Sequence, residues 1–399
     1  MSGPLDGIKV IECAHWIVGP MAGVMLGDLG ADVIKVEERL GGDRMRGVTH
    51  LGSHKIERNW LFEGYNRNKK SITLDMSKDD GKEILYQLVK QADIFLTNFT
   101  DAALKKLGLD FETIFAHNPR IVYAQGSGWG SKGPLKVKPA FDTLMAARSG
   151  FFMQIKGAEQ EPFIYPGAFS DVITGITLVP AILAALLSRQ QRGQGQKVEV
   201  SGLGSLINLQ IELLTSILLT GKEEGRQVRE KAGNPLWNLY QCGDTRWIAL
   251  AMPQSDRYWS RFCEAMEIKH LEKDPKFENY MARSNNAEEL VAILDDLFLT
   301  KSLSEWVEHL GKWDLLYGPI QNLPELVTDP QVLANDYIID FNHPVYNMVK
   351  MIGFPYKFSD TPPSVRSATP ELGQNTEEIL LEMGYEWEDI ARFRDSEVI

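Results

Sequence analysis

A chain of 399 residues, 44% hydrophobic and 24% charged, has the length of two or three domains and the make-up of an ordinary soluble globular protein. Its net charge of −12 argues against general binding to nucleic acid or to an anionic membrane. Three distant cysteines, Cys13, Cys242 and Cys263, offer neither a disulfide framework nor paired metal spacing, and the seven histidines are scattered, so no metal site is expected.

The N-terminal stretch MSGPLDGIKV has neither the basic region nor the apolar core of a signal peptide. From there the pattern is β–α–β. IKVIEC (8–13) reads as a buried strand, GPMAGVMLGDLG (19–30) as a helix rich in small residues, and ADVIKVE (31–37) as a second strand. Such close succession implies a right-handed parallel crossover. Further units follow: a helix at 78–91, a strand ADIFLTNF (92–99), helices at 101–107 and 110–116, and a strand RIVYAQGSG (120–128). Alternation of this kind predicts an α/β fold with an open, doubly wound, Rossmann-like parallel sheet. Ligands of such sheets lie outside the carboxyl ends of the strands, here Cys13–Ile17, Glu37–Arg39, Asn98–Thr100 and Gln125–Trp129. A helix is expected at 171–189, a strand KVEVS at 197–201, and a long helix at 203–220. The apolar runs 172–187 and 203–220 are interrupted by Pro180 and Glu212, and each is marginal for a membrane span. A reduced, cytoplasmic, soluble protein without membrane attachment is the resulting expectation.

The charged segment GKEEGRQVREKAG (221–233) reads as a linker to a smaller α+β domain over 225–325, the large domain being 1–224 completed by 326–399. In the small domain, 236–253 reads as a hairpin turning at Gly243–Asp244. SDRYWSRFCEAM (255–266) is an amphipathic helix, and SLSE (302–305) is a capping box that opens another. Strands at 337–342 and 350–359 and helices at 375–384 and 386–393 close the chain.

Three candidate sites can be weighed. The first crossover suggests a dinucleotide site, but the loop AHWIVGPMAG lacks the glycines that admit a pyrophosphate. GSGWG (126–130) has its serine in the wrong place for a nucleophile elbow, and its glycines instead mark close backbone approach. The third is Asp171 in GAFSDVITGI, a charge opening an apolar helix. It reads either as a helix cap or as a carboxylate nucleophile held at the positive helix end. One charge cluster stands out. Residues 39–70 carry Arg39, Arg44, Arg46, Lys55, Arg58, Arg67, Lys69 and Lys70 against Asp43, Glu57 and Glu63, a local +5. This is either a solvated face or a seat for a phosphorylated small molecule.

Along its whole length the sequence resembles the family III CoA-transferases of formyl-CoA and carnitine-CoA transferase type. The resemblance rests on PLDGIKVIE…GP (4–20), LGDLGADVIKVEERLGGDRMR (26–46), NRNKKSITLD (66–75), LGLDFETIFAHNPRIVYAQGSGWGSKGP (107–134) and DVITG…AILAALLSRQQRGQGQKVEVS (171–201). C-terminal segments at 329–336, 354–363 and 369–385 continue it. It implies that Asp171 attacks the thioester of a donor acyl-CoA, giving an acyl-aspartyl anhydride and then an aspartyl-CoA thioester from which a carboxylic acid takes CoA. No permanently bound cofactor is implied; CoA and acyl-CoA are substrates. By the same resemblance, Trp16 and Ile17 line the pantetheine or thioester. Asn68 and Lys69 belong to an adenine- and phosphate-binding stretch, and Asn98, Phe99 and Thr100 touch CoA. Lys105 or Lys106 meets a phosphate, and Asp142 lies close to the nucleophile. Glu38 occupies a position where the family has a basic contact, with Arg39 beside it, and Lys138 is one residue from its aligned place. The resemblance also implies an interlocked homodimer whose small domain closes over the partner's site.

Two other readings keep the fold. An α-methylacyl-CoA racemase needs a second acid/base group, and Phe141 stands where that family has histidine. A chain of a heteromeric CoA-transferase is the other. The region 240–259 has no glycine run, which counts against formyl-CoA and oxalate. Trp16, Phe141, Trp237 and Tyr240 are either core residues or the lining for a larger, partly apolar acid.

Overall fold

Alternation along the first strands decides the architecture, because successive side chains of a strand point to opposite faces. The computed structural model describes residues 3–51, 54–55, 59–156, 160–223 and 228–399. Strands β1 (Lys9–Cys13), β2 (Asp32–Glu37), β3 (Lys69–Thr73), β4 (Ile94–Thr97), β5 (Val122–Ser127) and β6 (Lys197–Ser201) form one sheet in the order β3-β2-β1-β4-β5-β6. All five pairings are parallel. Val10, Val33, Ile94 and Val122 face helices α1 (Val18–Asp28) and α7 (Phe169–Arg192), meeting Ala22, Leu26, Leu178 and Ile182. Their neighbours Ile11, Ile34, Phe95 and Tyr123 face the other way. They pack on α3 (Asp79–Gln91), α5 (Phe111–His117) and the C-terminal helices at Thr376–Glu382 and Trp387–Asp395. From β1 the sheet grows outward to β2 and β3 on one side and to β4, β5 and β6 on the other, so the strand order reverses between β1 and β4 and their carboxyl ends form the crevice where doubly wound sheets bind ligands.

Strand β3 escapes a reading by apolar pattern. Lys69, Ser71 and Thr73 are buried on it, but their polar atoms are satisfied by partners remote in sequence: Glu12, Glu37 and Thr376. The helix expected over 203–220 is two helices, Gly202–Leu209 and Ile211–Thr220, bent by 76°. At the break the Gln210 side-chain amide donates to the carbonyls of Ser149 and Leu206. The strand expected over 350–359 runs instead from Asn347 to Ile352, paired with Ile338–His343. Helix α7 is long and apolar enough to cross a membrane. Its apolar residues Leu178, Val179, Ile182, Ala185 and Leu186 are buried in the large unit's core.

The chain divides into two compact units, one of residues 1–155, 162–221 and 339–399, the other of 156–161 and 222–338. The domain boundary expected at 224/225 falls outside the described residues. In the smaller unit β7 (Trp237–Gln241), β8 (Trp247–Ala251) and β9 (Tyr317–Pro319) form an antiparallel sheet in the order β9-β8-β7, with the β7–β8 turn at Gly243–Asp244. The capping box is formed by Ser302 and Glu305. Tyr240 lines no ligand pocket. It is fully buried, stacked on Phe298, and its hydroxyl donates to the Pro235 carbonyl at 2.6 Å.

Candidate active site at the carboxyl end of the sheet

Small residues bring the site elements together. A Cβ on Gly126, in β5, would lie 2.5 Å from a Val18 side-chain carbon. One on Gly175, in α7, would lie 2.8 Å from the Val18 carbonyl oxygen. The start of α1 therefore wedges between β5 and α7, and only glycine permits that approach. This places the 14–17 loop, which follows β1, beside the first turn of α7.

That loop is held from two sides. The Asn98 side chain accepts from the His15 N–H at 3.0 Å and donates to the His15 carbonyl at 2.7 Å. On the other side Asp43 Oδ1 accepts from the N–H groups of Trp16, at 3.1 Å, and Met45, at 3.0 Å. Trp16 has φ of +63°, a left-handed backbone that costs energy for a large side chain and is maintained by these bonds. Its side chain is 37% exposed, and Ile17 is buried against Met45 and Phe62. Beneath the loop Lys35 Nζ lies 2.8 Å from Glu12, 2.9 Å from Asp43 and 2.9 Å from the Ala14 carbonyl, which it donates to. Burial alone would lower the Lys35 pKa. Glu12, Asp43 and Glu37 outweigh it and hold the ammonium above the ordinary lysine range.

Lys69 completes this interior network, with its Nζ 2.8 Å from Glu12 and donating to the Pro20 carbonyl and Asn66. It is no phosphate ligand, because all its donors are spent inside the protein. Asn68 is likewise internal: its amide donates to Asp28 and the Ser364 carbonyl and accepts from the N–H groups of Arg366 and Ser367. Removing Glu12, which pairs at 2.8 Å with each of two buried lysines, is expected to be severe. Glu12→Leu should lose about 3–5 kcal/mol of unfolding free energy in urea. Glu397→Ala, which removes the exposed partner of Arg39, should lose less than about 1 kcal/mol.

The local +5 at 39–70 is mostly cancelled by acids from elsewhere in the chain. Arg39 pairs with Glu397, Arg46 with Glu37, Arg67 with Asp28, Lys69 with Glu12, and Lys70 with Glu378. Arg44 and Lys55 remain exposed, and Glu57 and Arg58 lie outside the described residues. Arg39 also borders a cavity of about 480 Å³ with Thr73, Thr376 and Arg394. Phe99 stacks edge-on against His15 at 4.8 Å, and Thr100 caps the helix Asp101–Leu107. Lys105, Lys106 and Lys138 are exposed.

Asp171 sits in the first turn of α7. It does not cap the helix. That role belongs to Asp142, the first residue of the helix Asp142–Arg148, whose Oδ2 accepts from the N–H groups of Ser170 at 2.6 Å and Asp171 at 3.1 Å. The Asp171 carboxylate is left with no hydrogen bond to the described residues. Burial, with the Asp142 charge adding to it, pushes its pKa from 3.8 to about 7. A half-buried carboxylate with a free oxygen at a helix N-terminus, among apolar side chains, is equipped to attack an electrophile. The sequence did not single out Asp43 or Tyr65. Asp43 counts there only as one acid in a basic stretch, and Tyr65 lies in a stretch to which the sequence reading assigns no element.

The fold is that of known structures. A CAIB/BAIF family protein from Brucella suis superposes with a TM-score of 0.84 at 29% identity, covering 96% of this chain and 100% of that one. The profile of CoA-transferase family III matches residues 5–376. (R)-2-Hydroxy-4-methylpentanoate CoA-transferase of Clostridioides difficile is 34% identical over 399 residues, 99% of each chain. Cinnamoyl-CoA:phenyllactate CoA-transferase of Clostridium sporogenes is 32% identical over 416 aligned positions, covering 99% of this chain and 97% of its own. The chain belongs to CoA-transferase family III and is a CoA-transferase.

Proposed function

We propose that Asp171 is the covalent centre of this transferase. Its carboxylate attacks the carbonyl carbon of a donor acyl-CoA, and the C–S bond breaks with its electron pair leaving on the CoA sulfur. The acyl-aspartyl anhydride that results is reopened by the thiolate, which releases the donor acid and leaves CoA as a thioester on Asp171. An acceptor carboxylate then takes the acyl position in the same two steps run in reverse. The observation carrying this reading is that Asp142 satisfies the helix start while Asp171 keeps its oxygens uncommitted. The acceptor is proposed to be a 2-hydroxy monocarboxylic acid with a branched or aromatic tail. The names of the two relatives above point that way, as do Trp16 and Phe141, which are 37% and 63% exposed.

In this reading Trp16, Ile17 and Phe99 meet the pantetheine arm, with Arg39, Lys105 and Lys138 toward the phosphates. Asn98 and Thr100 act by shaping their loops. The chain is proposed to work as an interlocked homodimer in a reducing, cytoplasmic compartment. Support for a partner comes from Leu218 and Leu219, which are 82% and 81% exposed on the apolar helix Ile211–Thr220.

Intact-mass analysis after incubation with acyl-CoAs tests the mechanism. The expected result is a mass increase matching an acyl group or CoA, mapped to Asp171 by peptide sequencing. Supplying 2-hydroxy-4-methylpentanoate, phenyllactate, succinate and oxalate as acceptors tests the substrate class, with at least about tenfold higher kcat/KM expected for the first two. Equal rates for all four would overturn it.

A further inference from the structure

Resting on Asp171 as the nucleophile, we infer that Tyr65 is a further catalytic residue, whose hydroxyl donates a hydrogen bond to the acyl oxygen as that oxygen becomes negative during attack. Tyr65 lies on α2 (Trp60–Asn66), in one apolar cluster with Ile17, Met45, Phe62, Ala168 and Val172. Ile17 ends the loop after β1. Ala168 and Val172 bracket the start of α7, and Val172 follows the nucleophile directly. Tyr65, Ala168 and Val172 thus pack on the same Ile17–Met45–Phe62 core, which joins α2 to the two elements that frame Asp171.

The helix carrying it is fixed at both ends. At its start the Asn59 side chain accepts from the Phe62 N–H at 3.1 Å and donates to the carbonyls of Met45 at 2.9 Å and Arg46 at 3.2 Å. At its end Asn66 donates to the Phe62 carbonyl and accepts from the buried Lys69 ammonium, each at 3.0 Å. A donor on so constrained an element needs little reorganisation when charge develops nearby.

The hydroxyl itself is uncommitted. Tyr86, Tyr123, Tyr240 and Tyr317 each donate to a backbone carbonyl. Tyr65 makes no hydrogen bond to the described residues, and its oxygen is not among the fully buried orphaned atoms, so it is open to an incoming group. Burial, then the charges of Asp171 and Asp142, raise its pKa, which keeps the phenol protonated and places it in the field of both carboxylates. In the step itself an Asp171 oxygen bonds to the carbonyl carbon, and the C=O π pair moves onto the acyl oxygen. Collapse of that oxyanion expels the CoA thiolate. Tyr65 keeps its proton throughout and supplies only the hydrogen bond, so no co-reactant is needed.

The test is Tyr65→Phe, which removes the hydroxyl and keeps the ring in its cluster. Steady-state kinetics should show kcat reduced about 10²-fold, in the range found for loss of one oxyanion donor, with the KM for acyl-CoA changed less than about threefold. Thermal unfolding should match the wild type, and the Asp171 adduct should still form, only more slowly. A kcat within threefold of wild type, or a raised KM at unchanged kcat, would overturn the role given to Tyr65. Those outcomes leave the covalent reading standing if the wild-type adduct maps to Asp171. An absent adduct in the wild type would instead remove that reading, and the Tyr65 inference with it.

Discussion

Asp171→Ala is expected to abolish CoA transfer, lowering kcat by at least about 10³-fold, which corresponds to about 4 kcal/mol of transition-state stabilisation. The size follows from what the side chain does. A positioning residue loses a fraction of its effect when truncated, whereas a covalent nucleophile loses the route. Asp171→Asn should be as inactive, because the amide is nearly isosteric but a far weaker nucleophile, so the loss reports chemistry rather than packing. Neither variant should form a covalent adduct with acyl-CoA, and both should still bind CoA, since Asp171 holds none of the loop contacts at His15, Trp16 and Asn98. Half-reaction exchange of labelled CoA into acyl-CoA isolates the first two bond changes and should vanish with turnover. A variant retaining a tenth or more of wild-type kcat would sink the covalent mechanism.

The ambiguity of Asp171 in the sequence shows where linear reading stops. A carboxylate before an apolar helix is both a good cap and a good nucleophile, and nothing within a few residues separates the two. The deciding residue is Asp142, which reaches the helix start across |i−j| of 28 and 29 and takes the capping bonds. The same physics explains the other differences. The first β–α–β crossover is legible because its core is apolar and its period is local, as at Val10, Ile11, Val33 and Ile34. Strand β3 is not, because Lys69, Ser71 and Thr73 are buried through acids and hydroxyls far along the chain. The basic cluster misleads for that reason too: Arg67 looks exposed and cationic beside Asn68, yet it is clasped by Asp28, |i−j| of 39 away. Apolar periodicity records which face is inside. It is silent on buried polar residues, whose partners are set by topology.

The pH dependence provides the second large effect. With its pKa raised to about 7 by burial and by Asp142, Asp171 must lose a proton before it can attack. The kcat/KM for acyl-CoA should therefore rise about tenfold per pH unit below 7 and level off above it. Asp142→Asn separates the two causes, because an asparagine oxygen still accepts from the Ser170 and Asp171 N–H groups while the charge is gone. The midpoint of the rise should move to lower pH but not reach 3.8, since burial remains. Stability must carry the opposite sign. A carboxyl group whose pKa is higher in the folded state contributes stability that is fully present below 3.8 and is lost as pH rises through about 7. Asp171→Asn, neutral at every pH, should therefore be more stable than wild type, by at most about 4 kcal/mol at pH 8 for a shift of three units. The difference should shrink steadily toward pH 5. Urea denaturation of both proteins between pH 5 and 8.5 measures it. A gap independent of pH would mean that Asp171 is ionised across this range, and the activity profile would then have to be flat as well. Matching midpoints in the two experiments would tie the strain of holding this carboxyl group to the chemistry it performs.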